Sequence, residues 1–279
     1  MFYRSLLFTP GNHDYKMLKS LDSNADALIW DLEDAVHPDE KQAARETILR
    51  VLNQLSSMPS KPVYIRVNAE TTPWFEEDVK LATHEYIRGI MLPKAETAYQ
   101  VNTAWRILDG KKDIIIIAET AVGIRDLDDV LKSGHVSGVA LGAIDLAVDQ
   151  NLTLTETGLE LVYARSRIVN LSVARGIRNI YDSVYPEIHD AEGLRNRAVI
   201  AKNSGFCGQL VIHPKQIDTV HEVYSPTPAE IEWAKRVIQA INQESKGMGV
   251  FTLDGKMIDK PVIDKAKQIY QMAQNFGMV

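Results

Sequence analysis

Carboxylates recur just past short apolar runs in this sequence. Asp31-Leu32-Glu33-Asp34 follows the run 27–30, Glu119-Thr120 follows 114–117, Asp145 follows 139–141 by way of Gly142-Ala143, and Asp182 follows 178–181. Glu119 and Asp145 are a pair that could share one hard divalent cation, because Mg2+ takes oxygen ligands and leaves positions to water and substrate. The competing reading makes Glu119 the cap of a helix starting near Gly123, and Asp145 an acidic first-turn residue. The small Gly142 and Ala143 leave space beside Asp145 and favour the cation. Arg66 closes Val63-Tyr64-Ile65, and its guanidinium offers a planar fork to a substrate carboxylate. An internal partner at Glu33 or Asp34 is the alternative, and both can hold at once.

Lys94, in Pro93-Lys94-Ala95-Glu96, reads either as a Schiff-base nucleophile, which needs a desolvated amine, or as an ion-pair partner. Carboxylates at Glu33, Asp34 and Glu96 should keep its pKa high and favour the pair. His213, before Pro214, is a candidate base or a structural imidazole. Cys207, between Phe206 and Gly208, reads as a buried small residue. Lys16 and Lys19 are candidates for phosphate contacts, against the commoner solvated helix face.

Convergence of these groups requires a scaffold. Eight apolar runs, at 6–8, 27–30, 63–65, 89–92, 114–117, 139–141, 178–181 and 210–212, recur about every 30 residues, the length of a strand-plus-helix unit. Segments 39–55, 95–108, 156–174 and 191–203 between them carry helical periodicity. Near-continuous apolar strands joined by helical crossovers predict a (β/α)8 TIM barrel over residues 1–224, whose C-terminal strand ends converge on one mouth. An open doubly wound sheet is the competitor, but Phe8-Thr9-Pro10-Gly11-Asn12 is not its glycine-rich loop. Residues 225–279 read as a C-terminal helical extension. Thr227 caps a helix with Pro228 at its first position, which runs toward Gln243. A loop with Gly247 and Gly249, the run 250–253, Asp254-Gly255 and a last helix starting near Asp259 follow.

Composition narrows the function. The 279 residues carry 37 acidic and 31 basic side chains, a net charge of −6, which argues against a dedicated nucleic-acid role. One cysteine allows no internal disulfide and no thiolate zinc site. The N-terminal apolar run is too short for a signal peptide, and no stretch of about 18 apolar residues occurs. The expectation is a soluble cytoplasmic protein with no membrane association.

Arg4-Ser5, Phe8-Thr9-Pro10-Gly11, Asp31-Leu32-Glu33-Asp34-Ala35-Val36, Arg66-Val67-Asn68, Leu92-Pro93-Lys94, Glu119-Thr120-Ala121, Gly142-Ala143-Ile144-Asp145-Leu146, Ile212-His213-Pro214 and Asp254-Gly255-Lys256-Met257-Ile258-Asp259 together resemble the citrate lyase β-subunit-like proteins of the HpcH/HpaI aldolase superfamily. Each motif alone is weak, but their order spans nearly the whole chain. The resemblance implies a Mg2+-dependent barrel, usually trimeric. By the same resemblance such a barrel would cleave a 3-hydroxyacyl thioester of coenzyme A or a carrier protein to an acetyl thioester and a 2-oxo acid. It further implies that Glu119 and Asp145 hold the metal and that Arg66 grips the oxo-acid carboxylate. Asp259, lent to a neighbouring subunit, would protonate the departing enolate, and Lys16 and Lys19 would meet coenzyme A phosphates. Glu33, Asp34 and Lys94 would support the site. This sequence departs from the family pattern at Ile144, where an acid is common, and in 12–16, which lacks the usual arginine. A free-standing citramalyl-CoA-type lyase is the favoured reading, with malyl- or citryl-CoA as other substrates. The rivals are a citrate lyase β subunit acting on carrier-bound citryl groups, an aldolase of free hydroxy-oxo acids, and a non-catalytic metabolite-binding barrel.

Overall fold

The computed structural model describes residues 2–243, 251–253 and 255–279. Eight parallel strands close into a barrel in sequence order: β1 (Ser5–Pro10), β2 (Ala27–Asp31), β3 (Val63–Arg66), β4 (Ile87–Leu92), β5 (Asp113–Ala118), β6 (Gly138–Leu141), β7 (Ile180–Asp182) and β8 (Gly208–Val211), with β8 pairing back to β1. This is the (β/α)8 barrel that the repeat of apolar runs predicts. The barrel lies within one compact unit, Tyr3–Tyr224.

Each strand buries both faces, and alternate side chains enter different cores because successive residues point to opposite sides. Leu6, Ile29, Tyr64, Ile115, Ile117, Ala140, Tyr181 and Leu210 fill the barrel interior. Their neighbours Leu7, Leu28, Trp30, Ile65, Ile114, Ile116 and Val211 pack outward in the cluster shared with the helices. The runs read as continuous in the sequence because neither face meets water.

Helix boundaries follow local chemistry. The helix Ala98–Ile107 begins at a capping box, with the Thr97 hydroxyl accepting from Gln100 N and the Gln100 side chain reaching back. The segment expected as helical over 156–174 becomes regular only at Val162, because Gly158 takes φ +63° before a 3-10 turn at Leu159–Leu161. No described helix is long and apolar enough to cross a membrane.

The second compact unit comprises Ser225–Val279 together with Phe2. Thr227 Oγ1 accepts from Glu230 N at 3.2 Å and opens the helix Pro228–Gln243. An antiparallel hairpin of β9 (Phe251–Leu253) and β10 (Lys256–Ile258) precedes the helix Lys260–Asn275. Ala234, Val237, Ile258 and Ala266 form its buried core. Gly247, Gly249, Val250 and Asp254 lie outside the described residues.

Candidate active site

Strand parity decides which polar residues reach the mouth. In β2 the inward positions continue from Ile29 to Asp31, and in β3 from Tyr64 to Arg66. Beyond β5 they continue from Ile117 to Glu119, and beyond β6 from Ala140 to Gly142. Asp31 and Arg66 are register partners across β2 and β3, which sets up a two-pronged ion pair: Arg66 Nε donates to Asp31 Oδ1 at 2.7 Å and Nη2 to Oδ2 at 2.6 Å. The guanidinium lies over the Phe8 ring, 4.8 Å from its centroid. Burial works against its charge, but Asp31, Glu33 and Asp34 outweigh that and hold its pKa above the ordinary arginine value.

Asp31 and Arg66 line a cavity of about 410 Å3 together with Asp34, Glu119 and Asp145. Phe8, Ile117, Leu141, Val184, Leu210 and Ile212 form its apolar wall. Glu119 is 3% exposed. Burial, then the charges of Glu33 and Asp145, push its carboxyl up to about 8. Its Oε1 accepts from Lys94 N at 2.8 Å, and no described donor reaches Oε2. Gly142 makes this close approach possible: a Cβ there would stand 2.5 Å from both Glu119 Cβ and Oε2. Among the described residues no three His, Cys, Asp or Glu side chains form a ready-made metal cluster. Two carboxylates facing an open cavity, one of them buried and crowded by like charge, nonetheless suit a hard cation that takes its other ligands from water and substrate.

Glu33 and Lys94 support this wall. Lys94 Nζ lies 2.9 Å from Glu33 Oε1, and Arg66 Nη1 lies 2.8 Å from Oε2. Burial works to lower the pKa of the Lys94 ammonium, but its hydrogen bond to Glu33 and the nearby carboxylates reverse this, and the pKa is raised. The ion-pair alternative therefore holds and the Schiff-base one fails, since a charged amine is no nucleophile. Asp34 is the loosest partner, 3.4 Å from Arg66 Nη1.

The remaining candidates stand in other surroundings, and some of the expectations for them change. Asp182 follows inward Tyr181 and so faces the helices, where Arg165 Nη2 donates to its Oδ2 at 2.9 Å; it does not join the mouth. His213 Nδ1 accepts from Lys215 N at 3.1 Å as a cap, which makes the imidazole structural. Glu119 is not a helix cap: Thr120 fills that role for the helix Ala121–Arg125, its Oγ1 accepting from Gly123 N at 2.9 Å. Cys207 is half-buried, not fully buried; desolvation pushes its thiol up to about 12. Lys16 and Lys19 lie exposed on the helix Asp14–Leu21 and do not line the cavity. Asp259 belongs to the second unit, where its Oδ1 accepts from Val262 N at 3.3 Å and caps the helix Lys260–Asn275.

Sequence reasoning passed over Asp31 as the main partner of Arg66 in favour of Glu33 and Asp34. The signal was available: Asp31 has the parity of Ile29 and follows the second run as Arg66 follows the third. The register that pairs them was not.

Residues 4–214 match the family described as HpcH/HpaI aldolase/citrate lyase. Citrate lyase subunit beta of Leuconostoc mesenteroides subsp. cremoris is 32% identical, with 97% of this chain and 93% of that protein aligned. The mitochondrial citramalyl-CoA lyase of Homo sapiens is 31% identical over 97% of this chain and 85% of its own length. Among solved structures, the protein CitE from Mycobacterium tuberculosis, in complex with magnesium, acetoacetate and coenzyme A, superposes with a TM-score of 0.80 at 29% identity, covering 97% of this chain and 98% of that one.

Proposed function

The chain belongs to the HpcH/HpaI aldolase/citrate lyase family and is thereby an oxo-acid lyase; from that premise we propose that it cleaves a citramalyl-CoA-type 3-hydroxyacyl thioester to acetyl-CoA and pyruvate, using Mg2+. The observation that carries this reading is the charge layout of the cavity. Among the described residues lining it, Arg66 is the one cation, and four carboxylates, Asp31, Asp34, Glu119 and Asp145, line it as well. One substrate carboxylate has a counter-ion there. The second carboxylate of a citryl group would meet either acidic or apolar wall, at an uncompensated desolvation cost. A methyl group suits Ile117, Leu141 and Leu210.

In this proposal Glu119 and Asp145 would hold the cation. The metal would supply Lewis-acid stabilisation of the alkoxide charge on the substrate's 3-hydroxyl oxygen, a charge that passes to the departing acetyl-thioester enolate as the carbon–carbon bond breaks. Arg66, fixed by Asp31, orients the oxo-acid carboxylate and adds positive charge beside it. Asp259 would return a proton to the acetyl-thioester enolate from a neighbouring subunit of a homotrimer. Lys16 and Lys19 remain candidates for coenzyme A phosphates because the helix Asp14–Leu21 follows directly on β1 and its mouth-side end. A magnesium- and coenzyme A-bound relative supports the choice of cation and thioester.

The test is product formation from citramalyl-, malyl- and citryl-CoA by the purified chain, with Mg2+ and then with excess chelator. Chelator-sensitive release of acetyl-CoA and pyruvate, fastest with citramalyl-CoA, is the expected outcome. Preference for citryl-CoA would overturn the substrate reading. Free coenzyme A without any 2-oxo acid would replace the lyase by a thioester hydrolase.

A further inference from the structure

Lys94 has a backbone conformation unusual for its type. Its φ is +49°, and the other described non-glycine residues with positive φ are Asp109 and Asn151. Aspartate and asparagine tolerate that region through local hydrogen bonds, whereas a lysine there carries uncompensated strain. The conformation lets one residue serve two neighbours. The backbone N–H donates to Glu119 Oε1 at 2.8 Å, and the side chain reaches Glu33 Oε1 at 2.9 Å.

Glu33 thereby stands between two cations that treat it differently. Lys94 takes Oε1 in a hydrogen bond. Oε2 lies 2.8 Å from Arg66 Nη1 but accepts no hydrogen bond, although it is buried. The charges are in contact, yet the N–H directions are not used. Arg66 commits Nε and Nη2 to Asp31, and beside its 2.8 Å charge contact with Glu33 Oε2 its Nη1 makes just one hydrogen bond among the described residues, the long one of 3.4 Å to exposed Asp34. Donor capacity therefore remains on Nη1, on a residue that lines the cavity.

We infer that Lys94 is a positioning residue. By holding Glu33 Oε1 it keeps Glu33 from hydrogen-bonding Arg66 Nη1, so the guanidinium is charge-compensated and still has an N–H for a ligand carboxylate. Without the ammonium, Arg66 would be the one cation among the described residues left at ion-pair distance from the Glu33 carboxylate. A charge-assisted hydrogen bond would draw it onto Nη1, in direct competition with that ligand. The inference rests on the functional reading above for the identity of the ligand, a 2-oxo acid.

The experiment titrates pyruvate into the full chain with Mg2+ by calorimetry, and Mg2+ alone in parallel. Lys94→Met should weaken pyruvate on the order of tenfold, the worth of one charge-assisted hydrogen bond. Mg2+ affinity should stay close to wild type, because the bond to Glu119 comes from the backbone. Lys94→Arg should restore most of the loss. Adding Glu33→Gln to Lys94→Met should restore it too, since the competing charge is gone, a recovery that general damage to the site would not give. Wild-type pyruvate affinity in Lys94→Met, or no recovery in the double variant, overturns the inference. A ligand-free crystal structure of Lys94→Met reads the same event without substrate: Glu33 Oε2 should turn into line with Nη1, and an unchanged Glu33 overturns the inference. A wild type that binds no 2-oxo acid, with Glu33 turned in that variant, would leave the role of Lys94 standing and remove the functional reading instead.

Discussion

Glu119 concentrates the electrostatic cost of the site. Burial first, and the charges of Glu33 and Asp145 next, push its carboxyl up to about 8 from an ordinary 4.5. The folded-state value is raised, so the folded chain keeps a proton that the unfolded chain releases above 4.5. Stability from this group is present below that value and is lost as pH climbs toward 8. Metal-free protein should therefore show a falling Tm from about pH 5 to about pH 8, with part of the fall removed in Glu119→Gln. Mg2+ should raise Tm more at the upper end of that range, because it takes the deprotonated carboxylate. Identical pH profiles for wild type and Glu119→Gln would remove Glu119 as the group responsible.

Strands and helices decide where such residues can stand. Gly142 follows β6 with Glu119 against it, so Gly142→Ala would drive a Cβ to 2.5 Å from Glu119 Cβ and Oε2. The backbone of neither element can give freely inside a closed barrel. Calorimetry should show Mg2+ affinity reduced by on the order of tenfold or more, with a lower Tm. Unchanged Mg2+ binding would exclude Glu119 from the cation site. Parity makes the opposite prediction for Asp182. With Arg165 it forms a buried pair between β7 and the helix Val162–Ala174. Arg165→Met leaves a buried carboxylate unpaired and should cost about 3–5 kcal/mol in urea unfolding. Its effect on Mg2+ affinity should be small, and a large one would tie the pair to the mouth after all.

At the scale of the whole molecule, the barrel unit holds the cavity and the 225–279 unit holds Asp259. If the extension serves a neighbouring copy, each site draws on two chains. Asp259→Asn and Glu119→Ala should each be inactive alone. Dissociated and reassociated together, they should recover activity, because mixed assemblies contain sites with both residues intact. Sedimentation of the wild type should report a trimer. A monomer, or no recovery on mixing, would sink the shared site.

Much of this protein is legible in the sequence because a barrel strand buries both faces. Eight β-branched and leucine-rich runs at strand-plus-helix spacing have few other solutions, and the strand ends that carry the carboxylates and arginine must meet at one mouth. Local chemistry is equally legible at Thr227-Pro228 and across 191–203, where the observed helix is Ala191–Asn203, since caps and amphipathic period depend on near neighbours. Tertiary structure alone decided which end residues enter the cavity. Boundaries shifted by one residue reverse parity, so Asp182 looked equivalent to Asp31 until the register placed one outward and the other inward. It also decided the partner of Arg66, because Asp31 lies 35 positions away and meets it only through the alignment of β2 with β3. The left-handed turn at Lys94 is invisible in the sequence for the same reason: local propensity disfavours it, and contacts with Glu33 and Glu119 from two other strand ends help hold it there.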